Sequence, residues 1–493
     1  MAAPSFNLGI AWRSSSSAGA GPSPGTTPAT STLQPRQWQQ QLIHLLRRRL
    51  EQASRDVLIN AGPGAGKTLG ALLSFQRLQR DGVLHHFVVF CHRSSIAEQW
   101  LNASARLGLA LQEWDAERDL SEQAAPGLLI TYQAASRNQA ALTQQVAEAG
   151  WGPWLSIADE VHHLGVDPEE PEASAWGHAF SRLSCQASLR LGLTGTPFRA
   201  DNLAFCAARR VHVRDGADWV EQIAPDLSVE PRQLIAAGDV RPLEFRFQDG
   251  WVDHGREPSS SDNERSPLSL EQRESWRARN LRRAIRLGDE SSIALRLLLR
   301  ARSRLERVRQ EHPQAGGLVI ARDIAHARRI AGLLEEEGDR VQLVHSQDPE
   351  ASARLQAFKQ GEADWLVSID MCAEGFDAPR LRVVAYLTTI VTRTRFLQAI
   401  TRAVRMDGSR AGLESVPRQP SYVFAPADPL LMQVARTWSL SEPYLIRQRA
   451  QADPAEATGA GGRASVPLQA LQDGAGEVIR MRGPQLPNIV LQR

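Results

Sequence analysis

The chain reads as an α/β protein: two tandem parallel-sheet domains with a helical arginine-rich connector. Three observations carry that reading. Short apolar runs alternate with amphipathic helical stretches from residue 33 to about residue 247, the same rhythm restarts at Gly317, and the stretch between them differs in composition. Parallel neighbours need a long return connection, and helices at this spacing supply it.

Taken in order, residues 1–32 are rich in Ser, Gly, Pro, Ala and Thr and are expected to be a disordered lead-in. Arg13 and the scarcity of acids would suit a transit peptide, but a central hydrophobic stretch is missing. The first domain is expected over residues 33–248, with strands at 57–60, 87–91, 128–131, 155–158 and 189–193 and helices at 69–78 and 96–107. The connector, residues 249–312, opens polar at Ser259, Ser260, Ser261, Asp262 and Asn263. It then turns arginine-dense through Arg277, Arg279, Arg282, Arg283 and Arg286 and on to Arg309. Two readings compete there: a solvated helical connector whose arginines pair with Glu271, Glu274, Glu306 and Glu311, or a surface that tracks phosphates. The second domain is expected over 313–432, with strands at 318–321, 341–345, 365–369, 383–387 and 422–425 and helices at 324–337 and 395–405. Residues 433–493, with Gly459, Gly461 and Gly462, form a tail.

Lys and Arg number 57 against 55 Asp and Glu, so attraction to a polyanion cannot be a property of the whole chain and must come from a local patch. Cys91, Cys185, Cys206 and Cys372 are scattered without a C-x-x-C pair, which argues against a zinc site or a disulfide framework. No run of about 18 apolar residues occurs, so no membrane partner is expected, and the reading is cytoplasmic, nucleoid-associated in a bacterium.

Behind the first expected strand stands Ala61-Gly62-Pro63-Gly64-Ala65-Gly66-Lys67-Thr68, and Lys67 is one of only two lysines in the chain. Strand, glycine turn and helix start place backbone N–H groups and the positive helix end around an anionic pocket. The lysine then reaches the β- and γ-phosphates of ATP and the threonine hydroxyl can ligate Mg²⁺. Ala61 stands where the usual spacing has glycine, and the competing reading is a glycine-rich turn with a chance lysine. Some 90 residues on, Trp154-Leu155-Ser156-Ile157-Ala158 runs into Asp159-Glu160-Val161-His162. After a phosphate loop, the first acid suits Mg²⁺ held through its water shell and the second suits orienting and deprotonating the attacking water.

With these residues the chain resembles a superfamily 2 helicase or translocase of the DExH type, in the branch of type III restriction and repair helicases. Further signatures follow in the family's order over residues 33–425. Leu33-Gln34-Pro35-Arg36-Gln37 resembles the upstream segment whose glutamine, here Gln37, reads adenine. His92 and Arg93 resemble the first strand-contacting loop, and Thr131, Tyr132 and Gln133 the second. Thr194-Gly195-Thr196 resembles the coupling loop. Glu374-Gly375-Phe376-Asp377-Ala378-Pro379 resembles the fifth motif, with Gly375 and Asp377 toward the nucleotide. Gln398 through Arg405 resembles the sixth, with Arg402 and Arg405 reaching the γ-phosphate, although Thr401 stands in the place of a glycine.

The resemblance implies two RecA-like domains that bind ATP and Mg²⁺ between them, with Glu160, Gln398, Arg402 and Arg405 catalytic and Gly62 to Thr68 cradling phosphate. His162 and Gln398 would carry the signal across the cleft. Tyr132-Gln133 and the fifth motif favour DNA over RNA as partner. A DNA helicase, a double-strand translocase and an ATP-gated clamp disabled by Thr401 all remain open. A D/E-x-K nuclease centre is excluded, because Lys67 and Lys359 follow Ala65 and Ala357.

Overall fold

The computed structural model describes residues 35–92, 94–115, 117, 125–164, 173–195, 209–215, 218–255, 264–271, 274–288, 292–369, 376–406, 411–439, 444–446 and 469–482. The expected lead-in, Arg93, Thr196 and Gly375 lie outside them.

The first sheet is built from β1 (Asp56–Ala61), β2 (His86–Cys91), β3 (Leu111–Glu113), β4 (Gly127–Thr131), β5 (Trp154–Ala158), β6 (Leu189–Thr194) and β9 (Leu227–Val229). Their order is β3-β4-β2-β5-β6-β1-β9, and every pair is parallel. Near-continuous burial along β1, β2 and β5 is what a sheet covered on both faces requires. Helices α1 (Gln37–Glu51), α2 (Lys67–Arg80) and α3 (Ser94–Arg106) pack Leu42, Leu46, Leu72, Phe75 and Trp100 against it. Register pairs Asn60 with Thr194, Phe90 with Ala158 and Cys91 with Thr131, so the loops after these strands all leave from one edge.

The second sheet runs β11 (Glu264–Pro267), β10 (Leu243–Gly255), β16 (Ser421–Pro426), β15 (Leu381–Leu387), β12 (Gly316–Ala321), β14 (Trp365–Ser368), β13 (Val341–Val344). Its core from β10 to β13 is parallel, and β11 and β18 (Gln469–Arg482) add antiparallel to β10. Two expected boundaries move. Leu243, Phe245 and Phe247 were read as the end of the first domain, yet their strand pairs with β16 and is buried in the second sheet. Alternation tells which face of a strand is apolar, not which sheet it joins. The tail likewise supplies β18, as well as β17 (Tyr444–Ile446), which pairs with β8 (Asp218–Ala224).

The arginine-dense connector divides in two. In α9 (Ile293–Glu311) the stripe Ala294, Leu297, Leu298, Ala301, Leu305 and Val308 packs on Val383, Ala385 and Phe424, so this helix is a layer of the second domain. Three of its arginines hold it there: Arg300 donates to Gln248 at 2.5 Å, Arg302 pairs with Asp339 at 2.7 Å, and Arg309 with Asp364 at 2.5 Å. In α8 (Glu274–Ala284), Arg277 pairs with Asp428 at 3.2 Å, while Arg279, Arg282 and the following Arg286 have no ion-pair partner among the described residues. The arginines left for the phosphate-tracking reading are those of α8 and the exposed Arg307 of α9, which also has no ion-pair partner among the described residues.

A short strap, residues 238–242, fastens the domains together. The Arg241 N–H donates to Val404 O at 2.8 Å, and Arg418 Nε donates to Gly238 O at 2.9 Å. The buried Arg241 guanidinium forks onto Glu414 at 2.6 and 2.5 Å, a bidentate geometry that fixes direction as well as distance.

Candidate nucleotide-binding cleft

The two sheets face each other across a cleft of about 560 Å³, lined from the first sheet by residues 62–69, Asp159, Glu160 and Gly195. From the second sheet it is lined by Asp377, Gln398, Arg402 and Arg405. Residues more than 200 apart in sequence thus meet in one cavity, of the size that holds a small-molecule ligand.

The phosphate loop is built for an anion. Gly64 and Gly66 sit at φ +78° and +81°, a region open to glycine and strained for other residues. Ala61, by contrast, is the last residue of β1, buried and paired with Val229, so its methyl meets no conformational penalty and the departure from glycine is harmless. The Gly62 N–H is taken by Val229 O and that of Ala65 by Gly62 O. Those of Gly64, Gly66, Lys67 and Thr68 have no acceptor among the described residues and surround the helix N-terminus.

Three successive carbonyls of the loop are held from outside. Arg36 donates to Gly64 O at 2.8 Å, Trp38 Nε1 to Ala65 O at 3.0 Å, and Gln39 Nε2 to Gly66 O at 3.0 Å. Tying the carbonyls outward leaves the N–H face for the ligand. This corrects the reading of the upstream segment: Gln37 is exposed at the start of α1 and does not line the cleft, whereas the buried Gln39 supports the loop. Helical spacing was the missed signal, since residues 36 and 39 share a face and residue 37 points elsewhere.

At the end of β5 the acids separate in environment. Asp159 is buried, its carboxylate accepting from Trp100 Nε1 at 2.8 Å and from the Glu160 N–H at 3.0 Å. Burial and the neighbouring Glu160 push its pKa up to about 6, against the pull of Lys67. Glu160 sits at φ +49°, a strained setting for a non-glycine residue of roughly 1–3 kcal/mol. That turn aims its carboxylate at Lys67 Nζ, 2.9 Å from Oε1, while the Gly195 N–H lies 3.4 Å from Oε2. A side chain at Gly195 would meet Lys67 Nζ at 2.6 Å, so glycine leaves the lysine its room.

The loops expected to grip a nucleic-acid strand are partly structural instead. His92 is buried, its ring 4.0 Å from that of His163 and 5.2 Å from that of Trp176. Tyr132 is fully buried and donates its hydroxyl to Asp159 O at 2.8 Å; burial and the nearby carboxylates hold the phenol protonated. Both are corrected from strand contacts to supports behind the acidic pair. Thr131 caps the helix Tyr132–Arg137 through Ala134 N at 3.2 Å, and of this loop Gln133 is exposed. Thr194 is buried at the end of β6, and His163, next to the expected His162, lines the cleft.

From the second sheet, Arg402 donates to Phe376 O at 2.5 Å and Arg405 pairs with Asp377 at 2.6 Å. The Thr401 hydroxyl donates back to Leu397 O at 2.5 Å, at the C-terminal cap of the helix Arg393–Ile400, and Thr401 itself stands on the cleft lining. The threonine thus leaves both arginines on the lining.

The sequence model for the family described as "Type III restriction enzyme, res subunit" matches residues 32–199, and that of the "Helicase conserved C-terminal domain" matches residues 300–407. The two matched segments carry the two halves of the cleft. The chain belongs to helicase superfamily 2. It is 33% identical to an uncharacterized protein of Mycobacterium tuberculosis over 85% of this chain and 66% of that protein, just under two thirds of the relative's length. It is 24% identical to a candidate DNA 3'-5' helicase, Rad25, of Halobacterium salinarum, over 67% of this chain and 46% of the other. The fold of this superfamily 2 chain is similar to a fragment of a candidate HsdR subunit of a type I restriction enzyme from Vibrio vulnificus. There the TM-score is 0.52 and the identity 16%, covering 83% of this chain and 67% of that one.

Membership fits the donor set of the cleft. Seven basic residues of the lining, Lys67, Arg36, Arg402 and Arg405 among them, face three acids, Asp159, Glu160 and Asp377, an excess of positive charge that suits a nucleoside triphosphate. Among the described residues no three metal-ligating side chains cluster. Were Asp159 to hold Mg²⁺, protons would compete with the metal for it, and the apparent Mg²⁺ affinity would weaken as pH falls through about 6. Mg²⁺ titrations of nucleotide binding at pH 5 to 8 check this, and an affinity flat across that range would contradict it. The sign for folding is opposite. A carboxyl raised above its ordinary 3.8 favours the fold only while protonated, and that contribution is lost as pH rises through about 6.

No described helix is long and apolar enough to cross a membrane. Of the four cysteines, Cys91 is buried and Cys185 exposed, both as free thiols, and Cys206 and Cys372 lie outside the described residues.

Proposed function

We propose that the protein is an ATP-dependent DNA helicase, hydrolysing ATP in this cleft and coupling closure of the two RecA-like domains to movement along DNA. The observation that carries the reading is the shared lining: phosphate loop and acids from one sheet, arginines from the other. Substrate phosphates satisfy both half-sites only when the cleft is closed, so ATP favours closure and loss of the γ-phosphate releases it.

In this reading Lys67 and Glu160 hold each other until phosphate competes for the lysine, which frees the Glu160 carboxylate to accept a proton from the attacking water. Mg²⁺, carried with the phosphates and held by Thr68 and Asp159, supplies charge neutralisation. Arg402 and Arg405 stabilise charge developing on the transferred group, and Gln398 lines the same wall. The Thr401 hydroxyl is engaged by Leu397 O and both arginines stand on the lining beside it, which supports turnover over an inactive clamp. DNA is favoured by the Rad25 relative's name and by Tyr132-Gln133.

The test is ATP hydrolysis with no nucleic acid, single-stranded DNA, duplex DNA and RNA, beside Lys67→Ala. Stimulation by DNA that disappears in the variant is expected. Losing a charge-assisted contact of about 1.5–3 kcal/mol should weaken ATP binding roughly 10- to 100-fold. Equal rates with and without any polymer would remove the motor reading.

A further inference from the structure

We propose that the hairpin of β7 (Arg209–Asp215) and β8 is a strand-separation pin, on which Trp219 stacks against a nucleobase where a duplex opens. The inference rests on the motor reading and adds the element that divides a strand-separating motor from a plain translocase.

The hairpin is antiparallel, its turn closed by the pair Asp215 and Asp218, and the next rung sets Arg214 directly opposite Trp219. Opposed residues share a face, so the indole and the guanidinium stand side by side just below the tip. Trp219 is 69% exposed, an unusual placement for the largest apolar side chain. Arg214 is exposed and has no carboxylate partner among the described residues. An aromatic ring beside an uncommitted cation is the chemistry of base stacking on single-stranded nucleic acid.

The C-terminal strand of the hairpin leads to the nucleotide cleft. β8 runs on into β9, which pairs with β1 and accepts the Gly62 N–H at Val229 O. A third strand, β17, pairs with Glu221, Gln222 and Ile223 at the base of β8. A rearrangement of the phosphate loop can therefore reach the hairpin through β9.

The experiment compares the full chain with Trp219→Ala and Trp219→Phe, reading DNA-stimulated ATP hydrolysis and displacement of a labelled strand from a forked duplex. Stacking worth about 1–3 kcal/mol predicts that displacement by the alanine variant falls about 5- to 100-fold, with stimulated hydrolysis within about twofold of wild type. Phenylalanine restores most of the displacement. Three results overturn the pin: unimpaired displacement by the alanine variant, loss of both activities together, or a stimulated wild type that separates no strands. A wild type without any stimulation removes the motor reading itself, and the pin falls with it.

Discussion

Glu160→Gln is expected to bind ATP as tightly as the native chain and to lose turnover by about 10²–10⁴-fold, the range for removing a positioned proton acceptor. The geometry separates binding from chemistry at this residue. Glutamine is nearly isosteric, and its amide oxygen can still accept from Lys67 Nζ, which lies 2.9 Å from Oε1. The strained backbone at φ +49° is unchanged by the substitution, so the side chain keeps its aim. What glutamine lacks is the basic lone pair. Equilibrium titration with a fluorescent ATP analogue, beside single-turnover hydrolysis, separates the two quantities. Turnover at the native rate would hand the role of base to another group, and weakened binding would mean that the ion pair with Lys67 organises the loop.

The second large effect is expected at Arg405. Its replacement by alanine should cut hydrolysis by roughly 10³–10⁵, as for removal of an arginine that stabilises the transferring phosphoryl group. Arg405 pairs with Asp377 at 2.6 Å, within the second domain. The loop meets it closely: a side chain at Gly64 would touch Arg405 Cγ at 3.7 Å and Val404 at 3.6 Å. Lysine is a poor replacement, being a point charge without the planar fork. Single-turnover rates of the alanine and lysine variants, with ATP affinity measured in parallel, check the assignment. A loss confined to affinity would make Arg405 a binding residue, and an unchanged rate would leave the second sheet's role to Arg402.

Much of the cleft was legible because its parts are local. Gly62 to Thr68 and Asp159-Glu160 each carry their chemistry within one turn at the end of one strand, and local backbone geometry follows from a few residues. The upstream segment was harder. Gln37 and Gln39 differ only in the direction they take from α1, and the loop's carbonyls decide which one is used. His92 and Tyr132 stand on loops that a linear reading sends to the surface. The fold turns them inward, to stack on His163 and to support Asp159.

The amino-acid sequence by itself determined two α/β domains and the nucleotide-binding chemistry of each half. Periodicity and glycine placement act over a few residues, and each half-site is continuous in the chain. Tertiary structure alone decided what depends on pairing between distant segments. It set β10 in the second sheet, folded α9 onto that sheet so that Arg300, Arg302 and Arg309 were engaged, and returned the last segments to β8 and β10. It also left Trp219 uncovered on the β7–β8 hairpin. The physical reason is that a strand's pattern specifies a buried face, while its neighbour is chosen by which edge the rest of the chain leaves open.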